Sequence, residues 1–399
     1  MDWVRRFTLL FALTYAGFLG NIAVIYYLSR GLSYGEIGLA TAVGGLGFFL
    51  FEVPTGIVGD KVSRKTSVLI GLSIIPISTV LLLFLSNFWV LLASELLGTL
   101  GASFVSGSLQ AWFFDNLRAG GIEDRFRELW RSAQKTSLIV SSTTTILGGF
   151  IAQFLGFGVA IVLTTIVQVL TIFIALKIPE MGFSQPETSY TLHLLGAWRE
   201  LKKPEIAWLI TYLLSVTLAL NQFRKFFEPY LGNVLALTLG TTLTGTLGIL
   251  GIVEVLIRVV PKYLGVALRG RVGRALHEMA PIGIPLSTAL SVLFPNPLLI
   301  VALGIVATLF ASAFTFNFSV EFQRRISSEK RATVISLRNM VMALVTSAFY
   351  TIYGFAVDFL GLSNARLLFA LGFLLLGLVF KTLSLGLLRE HLSLGVEEK

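Results

Sequence analysis

The sequence predicts an all-α, polytopic membrane fold: twelve transmembrane helices in two pseudo-symmetric six-helix bundles. Three observations carry this reading. The 399-residue chain is 55% hydrophobic and only 13% Asp, Glu, Lys or Arg, about half the charged share of a soluble domain. Its mean hydropathy is +0.83, which implies more apolar surface than a globule facing water can hide. The apolar residues come in long runs without alternation, so each crossing is a helix that satisfies its own backbone rather than a strand of a closed barrel. At roughly 20 apolar residues per crossing, the length accommodates about twelve.

Taken in order, the crossings fall at about 5–29, 35–58, 66–86, 88–117, 132–155 and 157–177, and, after a polar break, at about 205–231, 237–262, 272–294, 297–323, 332–358 and 363–388. The first run, Phe7 to Leu28, is too long for a signal-peptide core and is read as a retained helix. Lys and Arg set the orientation. With the N-terminus inside, alternate connections collect Lys61, Arg64 and Lys65; Arg118 to Lys135; Lys177 to Lys203; Arg258 to Arg274; and Arg324 to Arg331. Only Arg30 and Arg366 are left for the external loops. Both termini are therefore expected in the cytoplasm, with the chain multi-pass in the cell (inner or plasma) membrane.

Net charge is +9, and these loops account for it, so no nucleic-acid partner is expected. Cysteine is absent, which excludes thiol catalysis, thiolate metal sites and disulfides. His193, His277 and His391 are scattered, with no metal-ligand spacing. There is neither a nucleotide-binding Gly-x-x-x-x-Gly-Lys-Ser/Thr loop nor a catalytic constellation. The expectation is a non-enzyme without cofactor or metal, using a proton gradient as its energy source, with a small molecule and the lipid bilayer as partners. It is expected to act as a monomer.

The longest polar stretch, 178–204, opens with Pro179 and Glu180. It then places Leu192, Leu195, Trp198 and Leu201 at helical spacing among Arg199, Lys202 and Lys203. That reads as an amphipathic helix on the inner leaflet. It separates an N-terminal bundle, 1–177, from a C-terminal bundle, 205–399. The halves resemble each other. At an offset of 206, Gly98 falls on Gly304, Asp115 on Glu321, Arg118 on Arg324, Glu123 on Glu329, Arg125 on Arg331 and Gly148 on Gly354. Parallel six-helix repeats are a known transporter arrangement.

Between the second and third helices the chain reads Gly56-Ile-Val-Gly-Asp60-Lys61-Val-Ser63-Arg64-Lys65. This resembles the signature loop of the major facilitator superfamily, with Gly56, Asp60, Lys61, Arg64 and Lys65 matching and Ser63 replacing the usual Gly. Gly56 is expected to let a neighbouring helix approach, and Asp60 to cap a helix N-terminus. The resemblance implies a cytoplasmic charge cluster of Asp60, Arg64 and Asp115 that latches the halves in the outward-open state. Glu95 stands where many members carry an Arg in the fourth helix. The fifth helix keeps the Gly148-Gly149 pair of drug–proton antiporters but lacks their Gly-Pro.

Ionisable groups inside the membrane normally face a cavity or a partner. Glu95 shares a helical face with Thr99, Ala102 and Ser106. It is a candidate proton-coupling residue, the other reading being a structural carboxylate bonded to a hydroxyl or Arg. Asn221, Arg224, Lys225 and Glu228 form a stripe on the seventh helix. Arg224 and Lys225 could bind an anionic substrate group, or Arg224 could pair with Glu228. Asn21 and Gln110 are further cavity candidates. The hydroxyls of the fifth helix, Ser137 to Thr145, suit close packing. Glu52 and Glu254 occupy matching places in the second and eighth helices, so inner-gate contacts Glu52–Arg338 and Glu254–Lys135 are expected, a Glu254–Arg258 pair being the competing reading.

The expected function is secondary active transport by alternating access, with proton-coupled efflux of a hydrophobic or amphipathic small molecule in the lead. The alternatives are transport of a small organic anion through Arg224 and Lys225, and, in another class, a non-transporting lipid scramblase or receptor on a transporter-like fold.

Overall fold

The computed structural model describes residues 2–183, 204–267, 271–324, 326 and 331–394. The predicted amphipathic helix around Leu192–Leu201 lies outside the described residues, as do the Asn21 and Glu321 side chains. The described residues are helical, with no strand among them. The helices are α1 (Asp2–Thr14), α2 (Ala23–Ser29), α3 (Tyr34–Lys61), α4 (Arg64–Leu81), α5 (Phe88–Ala119), α6 (Phe126–Leu155) and α7 (Phe157–Leu176). They continue as α8 (Pro204–Arg224), α9 (Phe227–Leu239), α10 (Leu247–Ala267), α11 (Arg271–Leu293), α12 (Pro297–Arg324), α13 (Arg331–Leu360) and α14 (Leu362–Leu394).

Local chemistry sets the starts. Before α3, Ser33 Oγ accepts from the Glu36 amide at 3.1 Å while Glu36 accepts from the Ser33 amide at 2.8 Å, a reciprocal capping box. Asn87 Oδ1 accepts from the amides of Trp89 and Val90 at the head of α5. Asn296 does the same for Leu298 and Leu299 at α12, the repeat-related crossing.

Ten of the described helical segments are long and apolar enough to cross a membrane. The other two expected crossings are the α1–α2 segment and α11, which carries Pro281 and Pro285. Two sequence boundaries move. The first crossing is interrupted over Tyr15–Leu19. The seventh runs past 231 to Leu239, because the turn sits at Gly240, whose φ of +63° suits a residue without a Cβ.

The chain forms two compact units. One comprises Met1–Ser189, Leu235–Val255 and Tyr350–Phe355; the other comprises Tyr190–Val234, Leu256–Phe349 and Ala356–Lys399. In the first, Phe7 stacks on Phe113 with ring centroids 4.2 Å apart and meets Trp112 edge-on at 5.8 Å. These rings anchor a core of α1, α4, α5, α6 and α7. The same unit takes in the start of α10 and part of α13 through glycines. A Cβ on Gly354 would collide with the Tyr34 carbonyl, and one on Gly38 with the Tyr350 carbonyl. On α6, a Cβ on Gly149 would collide with the Leu247 carbonyl, and a Cβ on Gly251 of α10 would stand 2.9 Å from the Thr145 carbonyl oxygen. Bare glycines let the backbones touch where any side chain would hold them apart. In the second unit, Phe314, Phe318 and Phe322 of α12 stack in series at 5.5 and 5.6 Å.

Candidate functional site

Glu95 is the eighth residue of α5, roughly 10 Å along its axis, and is half-buried. Its Oε2 lies 3.3 Å from where a Gly44 Cβ would stand, and Thr99 Oγ1 lies 3.4 Å from the same point. Its charge also acts on the Tyr27 hydroxyl. The carboxylate thus sits in a polar niche of α3 and α5, floored by the missing side chain of Gly44, with Tyr27 of α2 within electrostatic range. The sequence pattern finds Thr99 but neither Tyr27 nor Gly44, because both belong to other helices. Gln110, on the same helix, is exposed.

The signature loop gathers a second group. Arg64 Nε lies 2.7 Å from Asp115 Oδ2, and its Nη1 lies 3.7 Å from Asp60 Oδ1. The three side chains are only 17–27% exposed. The N-terminus of α4 is capped by other residues than expected. Ser63 Oγ accepts from the Thr66 amide at 2.9 Å, and the Glu180 carboxylate accepts from Ser63 Oγ at 2.7 Å and from the Lys65 amide at 2.9 Å. Glu180, not Asp60, is the carboxylate that faces the positive end of that helix; Asp60 closes the last turn of α3. Lys65 Nζ donates to the carbonyls of Ile178 and Leu176 at 2.6 and 3.0 Å. Asn116 and Trp112 both donate to the Pro179 carbonyl, at 2.8 and 3.0 Å. The start of the linker is therefore tied to the signature loop. Lys61 is exposed. Among the described residues, nothing lies within 4 Å of a Gly56 Cβ; the close approach falls to Gly59, whose Cβ would collide with Ser108 Oγ.

The first crossing breaks over Tyr15–Leu19, exposing amides that a continuous helix would bond. Two hydroxyls meet them. Thr164 Oγ1 accepts from the Phe18 amide at 2.9 Å and Thr144 Oγ1 from the Gly17 amide at 3.3 Å. Gly148 leaves room for the Phe18 carbonyl. Part of the hydroxyl run of the fifth crossing is thereby accounted for.

The seventh crossing breaks as well, at Lys225–Phe226, where Phe226 has φ of +61°. Asn221, Arg224, Lys225 and Glu228 therefore do not share one continuous stripe. Arg224 is exposed in the last turn of α8. The Lys225 ammonium lies 5.3 Å from the Phe226 ring centre. Asn221 is half-buried, and Glu228 is buried in the first turn of α9. Arg366 reverses its sequence assignment. Instead of an external loop it occupies the first turns of α14, fully buried. Its Nη2 and Nη1 donate to the carbonyls of Phe223 and Lys225 at 3.2 and 3.4 Å, while Gln222 donates back to its carbonyl at 3.0 Å. The guanidinium lies 4.7 Å from the Tyr230 ring centre.

The expected gate residues are placed one by one. Glu52 and Lys135 are exposed, Glu254 is half-buried in α10, and Arg338 lies 4.9 Å from the Phe322 ring centre while donating to Asn339 Oδ1 at 2.9 Å. Among the described residues no cluster of His, Asp or Glu could hold a metal.

The sequence model of the Major Facilitator Superfamily matches residues 7–350. The chain belongs to that superfamily. It is a multi-pass membrane transporter and not an enzyme. A curated relative, the uncharacterized MFS-type transporter YxaM of Bacillus subtilis (strain 168), is 28% identical over 129 residues. That match spans 32% of this chain and 31% of the relative. Among solved structures, the nucleoside transporter NupG superposes with a TM-score of 0.81 at 16% identity, covering 96% of this chain and 99% of that one. A bacterial homologue of the human lysosomal transporter Spinster superposes with a TM-score of 0.71 at 15% identity, covering 96% of each chain. At such identities the likeness is one of fold.

Proposed function

We propose that this superfamily member is a proton-coupled secondary transporter that exports a hydrophobic or amphipathic small molecule, with its basic loops and both termini in the cytoplasm of a cell whose plasma or inner membrane it spans. The observation that carries the coupling is the Glu95 niche. A carboxylate held inside an apolar span is expensive when charged. Here it has a hydroxyl on its own helix and a glycine that leaves it space, with a tyrosine of another helix within electrostatic range. Such a group can take up a proton on one face of the membrane and release it on the other. The Arg64 cluster supports a gating role for the signature loop, since its ion pairs join the ends of α3, α4 and α5.

The test uses the purified chain in proteoliposomes with an imposed pH gradient and a panel of amphipathic dyes. The wild type should accumulate a dye against its gradient. Glu95→Gln should lose gradient-driven accumulation while retaining dye counterflow, because exchange needs no net proton movement. Undiminished pH-driven accumulation by Glu95→Gln would refute the role of Glu95. Lipid transfer between leaflets without dye transport would favour a scramblase instead.

A further inference from the structure

We infer that Arg258 recognises an anionic group of the substrate, so that the amphipathic cargo carries a carboxylate or a comparable planar oxoanion. The inference rests on the transport reading above and narrows its substrate class.

The sequence places Arg258 among the cytoplasmic-side charges, near the inner end of the 237–262 crossing and four residues after Glu254. The structure places it inside α10, within the Thr244–Pro261 segment that is apolar enough to cross a membrane. One side of that helix is marked by Ile249, Ile252, Leu256 and Val260, which are 37–41% exposed at spacings of three and four. Arg258 is two positions from both Leu256 and Val260, about 200° around the axis, so it stands on the opposite side. Seven residues earlier on that opposite side is Gly251, which with Gly248 packs against α6. The side chain therefore leaves the helix away from its exposed face. Next to it, Ile257 is buried and reaches, with the Phe223 ring, the bare Gly304 of α12. This holds the arginine on a fixed helix.

The arginines compared above answer their charge within the protein. Arg64 lies between two carboxylates, Arg366 serves two carbonyls, Arg30 donates to the Leu85 carbonyl at 2.8 Å, and Arg338 has Asn339 and an aromatic face. Arg258 differs. Its Nε and Nη2 are both buried and without a hydrogen-bond partner among the described residues. A desolvated guanidinium edge left unbonded is costly. Nε and one Nη are one of the two edges that match the two oxygens of a carboxylate in a bidentate pair. An incoming oxoanion would supply acceptors to both atoms.

The purified full-length chain in detergent is titrated with three isosteric probes: 1-naphthaleneacetate, its neutral amide, and 1-naphthylethylammonium. Binding is read as a rise in unfolding temperature. A second set of aliphatic carboxylates and phosphate monoesters extends the anion arm. The wild type should be stabilised by anions in preference to the amide. Arg258→Gln should weaken anion binding by about 10- to 100-fold, the range for hydrogen bonds to a charged group, and leave the amide unchanged; Arg258→Lys should recover part of it. Equal response of the wild type to acetate and amide, response to the ammonium alone, response to no anion at millimolar concentration, or full anion preference in Arg258→Gln would each overturn the inference. The comparison of probes on the wild type stands even where a variant fails to fold. Arg258-dependent anion binding without pH-driven flux would refute the coupling reading alone. PH-driven flux of neutral compounds unaffected by Arg258→Gln would refute this inference alone.

Discussion

The first and seventh crossings occupy equivalent places in the two sequence repeats, and both are broken helices, but the breaks are closed by opposite chemistry. Between α1 and α2 it is the amides that find partners, and they find neutral ones: the hydroxyls of Thr144 and Thr164, with Gly148 making room for a carbonyl. Between α8 and α9 it is the carbonyls of Phe223 and Lys225 that are met, by the buried cation of Arg366. A helix ends with unsatisfied carbonyls and a partial negative charge, and a guanidinium answers both at once. Hydroxyls answer one amide each and leave the local charge unchanged. The repeat thus preserves the place of the break while its chemistry has diverged. In an apolar slab, what has to be conserved is that the freed backbone groups are bonded, whichever side chain bonds them.

The comparison is most open to attack at Arg366. Arg366→Met removes two charge-assisted hydrogen bonds from a fully buried site and should cost about 3 kcal/mol or more of stability. This is read as a large drop in thermal midpoint of the detergent-solubilised protein, with Arg366→Lys intermediate. A midpoint equal to wild type would mean that the second break satisfies its carbonyls without the cation. The next effect concerns space. Gly148→Val drives a side chain into the Phe18 carbonyl, and a backbone atom yields poorly, so a loss of about 1–3 kcal/mol is expected. Gly56→Ala, placed in open space, is the matched control and should stay within about 0.5 kcal/mol of wild type. The smallest effect is expected at the hydroxyls. Thr164→Val removes the neutral hydrogen bond from the Phe18 amide together with the hydroxyl's own donation to the Ala160 carbonyl, and should cost about 1 kcal/mol, with Thr144→Val lower because its amide contact is longer. If the threonine variants proved as damaging as Arg366→Met, the contrast between neutral and charged closure would fail.

The signature loop shows how far the sequence could be read. Asp60 and Arg64 are four residues apart at a helix junction, and Asp115 is recognisable as an acidic residue at the end of the fourth crossing. The structure brings these three together. Glu180 belongs with them but is 115 residues from the amide it caps, so nothing local announced it. Gly56 and Gly59 look alike in the motif; only the placement of Ser108 decides that Gly59 is the contact. Gly17 and Gly20 hinted at the first break, although continuous hydropathy concealed it. The second break carries neither Gly nor Pro at Lys225–Phe226; its local sign is Pro229, which has no amide to give the Lys225 carbonyl four residues back.

The sequence by itself determined the fold class, the approximate placement of the crossings, the repeat and the signature loop. These depend on hydropathy and motif spacing, which are local and read along one dimension. Tertiary structure alone decided how the two breaks are closed, that Arg366 is interior rather than external, and which intramembrane charges are answered. Each of those depends on a partner brought from a distant helix. Whether a buried polar group is stable is settled by what lies within about 3 Å of it, and hydropathy carries no information about that.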